Sequence, residues 1–354
     1  MEPKRVAGKS GADSILLFTN EDRVDPNFYY LAGVSKMTHV TAYLAAGKGK
    51  PAILTNSLEY GTLRKTRGFR VEKVSDSKEL KRLMERSLGR KIGINQEYVS
   101  VNSLRRLKSV LKGRKFIDVS GNLAGMRSVK TNEEVSKIRQ ACRITEELFS
   151  HLEGIAKRGK TEIAIASELE AEAKRLGAEG MSFPSIIASG RNSAVPHHVS
   201  GKTRLAEGIL LADIGVVYRG YCSDMTRTYV IGEPAAMHKH IYAVVSRAKK
   251  ESIAMARAGE KASNVFNAAD AIIKKSYGTG MIHGLGHGLG IEVHDFPDGF
   301  RQKSKTILRK GMCLTMEPGY YKEGFGGVRI EDDIVIRNGR PKMLSKAPER
   351  LVSL

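Results

Sequence analysis

Short apolar runs separated by polar turns dominate the first third of the chain. SILLF (Ser14–Phe18), THVTAYLAA (Thr38–Ala46), PAILT (Pro51–Thr55), KIGIN (Lys91–Asn95) and KFIDV (Lys115–Val119) have the length and composition of strands. Between them, LEYGTLRKTRG and SKELKRLMERSLGR space their apolar residues as helices do. Strands alternating with helices predict a small α/β domain over residues 1–127.

The period changes after residue 127. Thr131 and Glu134 have the spacing of a capping box, and Val135, Ile138, Cys142, Leu148, Leu152 and Ile155 follow as one helical stripe. A second helix spans Thr161–Leu176 and stops at Gly177. Two more fall near Ala236–Ala258 and Ser263–Tyr277, and between and after these pairs run the strand-like segments ILLADIGVV, YCSDMTRTYVI, MCLTME and VRIEDDIVI. Two helices, strands, two helices and strands predict an α+β domain over residues 128–354. No convincing sequence repeat relates its halves.

The strand patterns carry unusual chemistry. Tyr218-Arg219-Gly220 reads as a hairpin turn, which brings Asp213 and Asp224 roughly opposite each other among Leu, Ala, Ile and Val. Facing like charges repel by up to about 1 kcal/mol, so either a cation lies between them, or both are exposed, or one pairs with Arg227. The loop SFPSIIASGRNSAVPHHVSG ends on His197 and His198, which as a lone pair also fit a surface or core role. HGLGHGLGIEVHDFP sets His283, His287 and His294 among glycines. If that segment is extended, His283 and His287 share a face, and Gly288 and Gly290 permit a close backbone approach. Glu317 ends an apolar strand with no evident partner. Arg329 and Glu331 share a strand face, so Arg329 can pair with Glu331. Four carboxylates and a histidine form an oxygen–nitrogen donor set. It suits two divalent ions of the Mn, Co or Zn sort better than a structural zinc. The chemistry expected of it is metal-assisted hydrolysis.

Composition narrows the picture. The 354 residues include 59 Lys and Arg against 38 Asp and Glu, a formal charge of +21. The segment 1–127 holds 25 of the basic and 12 of the acidic side chains. Such a balance admits a nucleic-acid- or ribosome-binding protein as a second class of function. The sequence carries no aromatic-basic RNA motif and no zinc finger, so nucleic acid is not the expected partner. Three scattered cysteines, Cys142, Cys222 and Cys313, exclude a disulfide scaffold and fit a reducing, cytoplasmic compartment. Neither a membrane span nor a secretory signal is expected.

SGRNSAVPHH, DIGVVYRGYCSDMTRT, GHGLGIEVHD, EPGYY and GGVRIEDD resemble, in order, the signature blocks of the pita-bread metallopeptidases, which include methionine aminopeptidases, aminopeptidase P and prolidase. NFYYLAG and the first-segment pattern extend the resemblance to a creatinase-like N-terminal domain. The resemblance implies Asp213, Asp224, His287, Glu317 and Glu331 as ligands of two divalent ions, Mn or Co first and Zn as a third candidate. It implies His197 near the leaving group, His294 near the substrate and developing oxyanion, and Arg329 beside the last glutamate. It assigns no role to His198. The PHH block and the N-terminal domain are similar to the proline-specific branch. The implied reaction is hydrolysis of Xaa-Pro bonds in dipeptides or short peptides, prolidase ahead of aminopeptidase P, by a homodimer. A methionine aminopeptidase-like activity is the alternative within the family. Prolidases often place an arginine shortly after the second histidine, and here that stretch reads HDFPDGFR, with Asp298 early and Arg301 later.

Overall fold

A computed structural model describes residues 10–297 and 299–354; Asp298 therefore lies outside the described residues. The chain divides into two units, Met1–Arg127 and Ser128–Leu354.

The first unit is built on one mixed sheet. Its strands are β1 (Ser14–Thr19), β2 (Ala42–Ala46), β3 (Ala52–Thr55), β4 (Arg70–Lys73), β5 (Lys91–Ile94) and β6 (Lys115–Asp118), in spatial order β4-β3-β2-β1-β5-β6. β1, β2 and β3 pair antiparallel, while β3–β4, β1–β5 and β5–β6 are parallel. The helices are α1 (Pro26–Ala32), α2 (Ser57–Leu63), α3 (Ser77–Ser87), α4 (Val101–Val110) and α5 (Ser120–Ser128). Local chemistry sets their ends. Asp25 caps α1 ahead of Pro26, and Gly33 ends it in the left-handed conformation.

Some boundaries differ from the sequence reading. The run Thr38–Ala46 is strand only from Ala42, because Lys36–Thr38 forms a 3-10 turn. The helix expected over LEYGTLRKTRG ends at Leu63. The polar β4 carries too little apolar signal to be read from the pattern, and α1, PNFYYLA, is short and buried on every side, so it shows no helical period.

In the second unit, α6 (Asn132–Ile155) starts in a complete capping box between Thr131 and Glu134. α7 (Glu162–Arg175) is followed by Gly177 at φ +89°. The strands β7 (Gly180–Met181), β8 (Ile186–Ser189), β9 (Gly208–Ile214), β10 (Val216–Tyr218), β11 (Tyr221–Cys222) and β12 (Met225–Ile231) precede α8 (Ala236–Met255) and α9 (Ala262–Tyr277). β13 (Cys313–Met316), β14 (Gly319–Lys322), β15 (Gly326–Arg329), β16 (Asp332–Val335), β17 (Lys342–Met343) and β18 (Val352–Ser353) close the unit. They form sheets β11-β10-β7, β18-β12-β9-β8, β13-β16-β17 and β14-β15.

Alternation along the strands decides which side chains meet the helices. Ile241 and Val245 of α8 and Val265 and Ile273 of α9 share a core with Leu314, Met316, Val328, Ile330 and Ile334. The residues between those strand positions, Arg329 and Glu331 among them, therefore face away from that core. Cys142, Cys222 and Cys313 are free thiols and fully buried, as small core residues are. Among the described residues no helix is long and apolar enough to cross a membrane.

Candidate metal centre

Asp213 lies near the end of β9 and Asp224 one residue before β12. The hairpin that joins them turns on Arg219 and Gly220, both with positive φ, which is the two-residue loop geometry that matches strand twist. Tyr218 pairs with Tyr221, and the same register puts Asp213 against Thr226. The two aspartates are thus diagonal neighbours and not directly opposite, and a threonine fills the facing position. Thr226 matters for that reason. Its hydroxyl accepts from Arg329 Nε at 2.9 Å and donates to Glu331 Oε2 at 2.6 Å.

Arg329 is 3 % exposed. Its Nη2 donates to Asp213 Oδ2 at 2.7 Å. The direct ion pair is therefore with Asp213, and Glu331 is reached through Thr226, contrary to the pairing expected from strand alternation. Arg329 Nη1 donates to the Pro196 carbonyl at 3.3 Å and to the Tyr321 hydroxyl at 2.8 Å. Tyr321 continues to His283 Nε2 at 2.9 Å, while His283 Nδ1 donates to the Gly284 carbonyl. Burial lowers the His283 pKa and raises that of Tyr321 to about 12, so a neutral imidazole accepts from a protonated phenol.

The segment 281–297 is irregular rather than extended, so His283 and His287 do not share a strand face. His287 turns toward the carboxylates. Its Nε2 lies 3.5 Å from Asp224 Oδ2 and 3.4 Å from Glu317 Oε1. Its Nδ1 donates to the Gly288 carbonyl at 3.1 Å, which leaves the Nε2 lone pair free. Burial holds the ring neutral by lowering its pKa. Glycine is required beside it. A Cβ on Gly288 would lie 2.5 Å from the Phe296 backbone, and one on Gly290 would lie 2.2 Å from Asp295 Oδ2. Asp295 in turn faces Lys130 at 3.8 Å in a buried ion pair. His294 stands at the exposed rim with its ring centroid 4.2 Å from that of His287, edge to face. Desolvation, then His287 and His197, push its pKa down to about 4. His197 is exposed, one residue after the Pro196 carbonyl that Arg329 holds.

The carboxylates are too many for their surroundings. Asp224, Glu331 and Glu317 are all pushed above the ordinary range, first by burial. For Asp224 and Glu331, mutual repulsion among the acids adds to the rise, against a single arginine. Asp213 Oδ1 is buried with no partner among the described residues. One ligand atom each from Asp224, His287 and Glu331 falls within 4.8 Å of the others. Donors bound at about 2.1 Å to a common ion stand roughly 3–3.5 Å apart, which matches the His287 distances. A divalent cation fits this donor set. It would relieve the repulsion and give the orphaned Asp213 oxygen a partner.

Three supporting residues were not singled out in the sequence. Thr226 was legible by alternation, two positions after Asp224. Tyr321 lies within EPGYY, but only the fold directs it at Arg329. Asp333 is fully buried and accepts from the Asp224 N–H at 3.1 Å and from Cys142 Sγ at 3.2 Å. Nothing in the spacing distinguishes it from Asp332.

A buried oxygen–nitrogen donor set at the end of paired strands defines a divalent-metal enzyme. The description "Metallopeptidase family M24" matches residues 136–338, and "Creatinase/Prolidase N-terminal domain" matches residues 5–129. The chain belongs to metallopeptidase family M24 and carries the creatinase-type N-terminal domain. It is 34% identical over 349 residues to a Xaa-Pro dipeptidase of Pyrococcus horikoshii, covering 97% of this chain and 95% of that one. It is 32% identical to the Xaa-Pro dipeptidase of Pyrococcus furiosus, covering 97% and 100%. Among solved structures it resembles an X-Pro aminopeptidase from Thermotoga maritima, with TM-score 0.92, 30% identity and coverage of 99% and 100%. The prolidase from Pyrococcus horikoshii gives 0.90, 33%, 98% and 97%.

Proposed function

We propose that the protein is a cytoplasmic Xaa-Pro exopeptidase, active first on Xaa-Pro dipeptides, with Asp213, Asp224, His287, Glu317 and Glu331 holding two divalent ions. The observation that carries this reading is the buried acid cluster with the His287 imidazole hung between Asp224 and Glu317. Manganese or cobalt suits these oxygen and imidazole donors, with zinc as a third candidate. When bound, such ions supply polarisation of a carbonyl oxygen and activation of water at neutral pH.

The chain's own groups divide the remaining work. Arg329 fixes Asp213 by direct contact and Glu331 through Thr226, so both carboxylates keep one orientation. His294, neutral at pH 7, presents a ring that can donate to a substrate carbonyl. His197, which the family resemblance puts near the leaving group, would handle the proton of the departing proline nitrogen. The relatives' names support proline specificity, and a homodimer completes the reading by family resemblance.

The likeness to the Thermotoga maritima X-Pro aminopeptidase favours a second reading, cleavage of the first residue from longer peptides. One experiment tests both. Rates are measured on a dipeptide and a tripeptide sharing one Xaa-Pro bond, with Mn²⁺ or Co²⁺ added. Preference for the dipeptide supports the first reading, and preference for the tripeptide supports the second. Failure to cleave either, with folded and metal-loaded protein, refutes both.

A further inference from the structure

Glu162 opens α7, and its side chain is fully buried. Its carboxylate takes four donors. Oε1 accepts from the Ser189 N–H at 2.9 Å and from Asn192 Nδ2 at 2.8 Å. Oε2 accepts from the Gly201 N–H at 3.1 Å and from His198 Nε2 at 2.8 Å. Burial works to raise the Glu162 pKa, yet the His198, Ser189, Asn192 and Gly201 donors outweigh it and keep the group below the ordinary range. An ionised carboxylate with this many charge-assisted bonds is a rigid anchor.

The donors have a telling order in sequence. Ser189 and Asn192 lead into the loop that carries His197, and His198 and Gly201 lead out of it. One buried carboxylate therefore ties both arms of that loop together. Apolar packing does little to hold its tip, since Val195 is 54% exposed and Val199 is 84% exposed; the tip's other side-chain hold is the bond from Arg329 to the Pro196 carbonyl. On the outgoing arm, His198 supplies the side chain of the clasp, and it is the immediate neighbour of His197.

We propose that Glu162 and His198 are positioning residues that set where His197 stands over the metal centre. The proposal rests on the reading of His197 as the group on the leaving side of the scissile bond. A displacement of about 1 Å in such a group lowers the rate roughly 100-fold. Loss of one of four donors should displace the loop less, so His198→Ala is expected to lower kcat about tenfold.

The test is a double-mutant cycle on an Xaa-Pro dipeptide, using His197→Ala, His198→Ala and the double variant with full metal loading. If His198 acts through His197, the His198→Ala loss of about tenfold shrinks to less than about twofold when His197 is already absent. Bound metal per chain should be the same in all forms. His198→Gln, which restores an N–H toward Glu162, should recover most of the rate. An equal loss in both backgrounds overturns the proposal, and so does a His197→Ala variant as active as the parent. Should His198→Ala fail to fold, His198→Leu keeps the bulk without the donor and takes its place in the cycle. If that also fails to fold, the clasp is a stability element and the proposal falls. Absence of Xaa-Pro cleavage by the parent protein would instead refute the underlying functional reading.

Discussion

Beneath α8 lies a buried ionic cluster whose removal has a calculable effect. Asp332, 1 % exposed, accepts from Arg227 Nη2 at 2.7 Å, from Ser345 Oγ at 2.6 Å and from Lys249 Nζ. Arg227 and Lys249 are themselves 2 % and 0 % exposed. Burial alone would raise the Asp332 pKa, but the two cations hold it down at about 2. Asp332→Asn keeps the shape and one acceptor while deleting the charge. Removing one partner of a buried pair costs about 3–5 kcal/mol. The lower end applies here, because Lys249 keeps Glu349 at 3.1 Å and Arg227 keeps carbonyl partners at Glu331, Ala347 and Pro348. At about 2–4 °C per kcal/mol for a domain of this size, Tm should fall by at least about 6 °C at pH 7. The chain has no tryptophan, so the melt is followed by circular dichroism or calorimetry. The sign with pH is fixed by the depressed pKa. The stability from Asp332 is present above its unfolded pKa of about 3.9 and is lost as pH falls through about 2. The gap between parent and variant should therefore narrow below about pH 4. A gap at pH 7 under about 2 °C, or one that widens on acidification, refutes the reasoning.

Glu331→Gln should abolish peptidase activity and, in chelator-treated protein at pH 8, raise Tm above that of the parent. Burial and the neighbouring acids raise the Glu331 pKa, so metal-free stability falls as pH climbs past the carboxylate range, and the amide escapes that penalty. Calorimetry between pH 5 and about 8 checks it, and a metal-free parent that grows more stable with rising pH counts against the acid cluster. Thr226→Val removes the hydroxyl between Arg329 and Glu331 and should weaken metal binding by about 10–100-fold, read by competition with a chromogenic chelator. Unchanged affinity would mean that Thr226 does not orient Glu331.

The legible parts of this protein are those written as local periodicity. The α6 stripe, its capping box and the stop at Gly177 depend on neighbours in sequence, and they recur in the structure. The polar β4, RVEK, forms only because β3 offers it a parallel partner, and no period within the segment announces that. The same division runs through the site. Each acid could be noticed because it interrupts or ends an apolar run. Partner choice could not, because it depends on register. A shift of two positions across the β9–β12 ladder puts Thr226 rather than Asp224 against Asp213, and so sends Arg329 to Asp213. Glu162 was invisible for a different reason. It is an ordinary first-turn glutamate until the chain returns with Ser189, Asn192, His198 and Gly201.

The two buried charge clusters use one strand segment for opposite ends. Glu331 and Asp332 are adjacent, so alternation sends them to opposite faces. Asp332 meets two cations and is neutralised within the chain. Glu331 meets Thr226 and, beyond it, other acids, so its charge is left unbalanced. Arg227 joins the two faces, since it donates both to Asp332 and, at 2.5 Å, to the Glu331 carbonyl. A balanced cluster on one face, Asp332 and Glu349 with Arg227 and Lys249, thus fixes the backbone that presents an unbalanced carboxylate on the other. The +21 formal charge is no remedy for that imbalance, because exposed charges are largely screened beyond about 10 Å at ordinary salt. Among the described residues the cation that touches this cluster is Arg329, already shared among Asp213, Thr226 and Tyr321, and a divalent ion would supply the rest. The Asp213 oxygen that is buried with no partner among the described residues would face that ion.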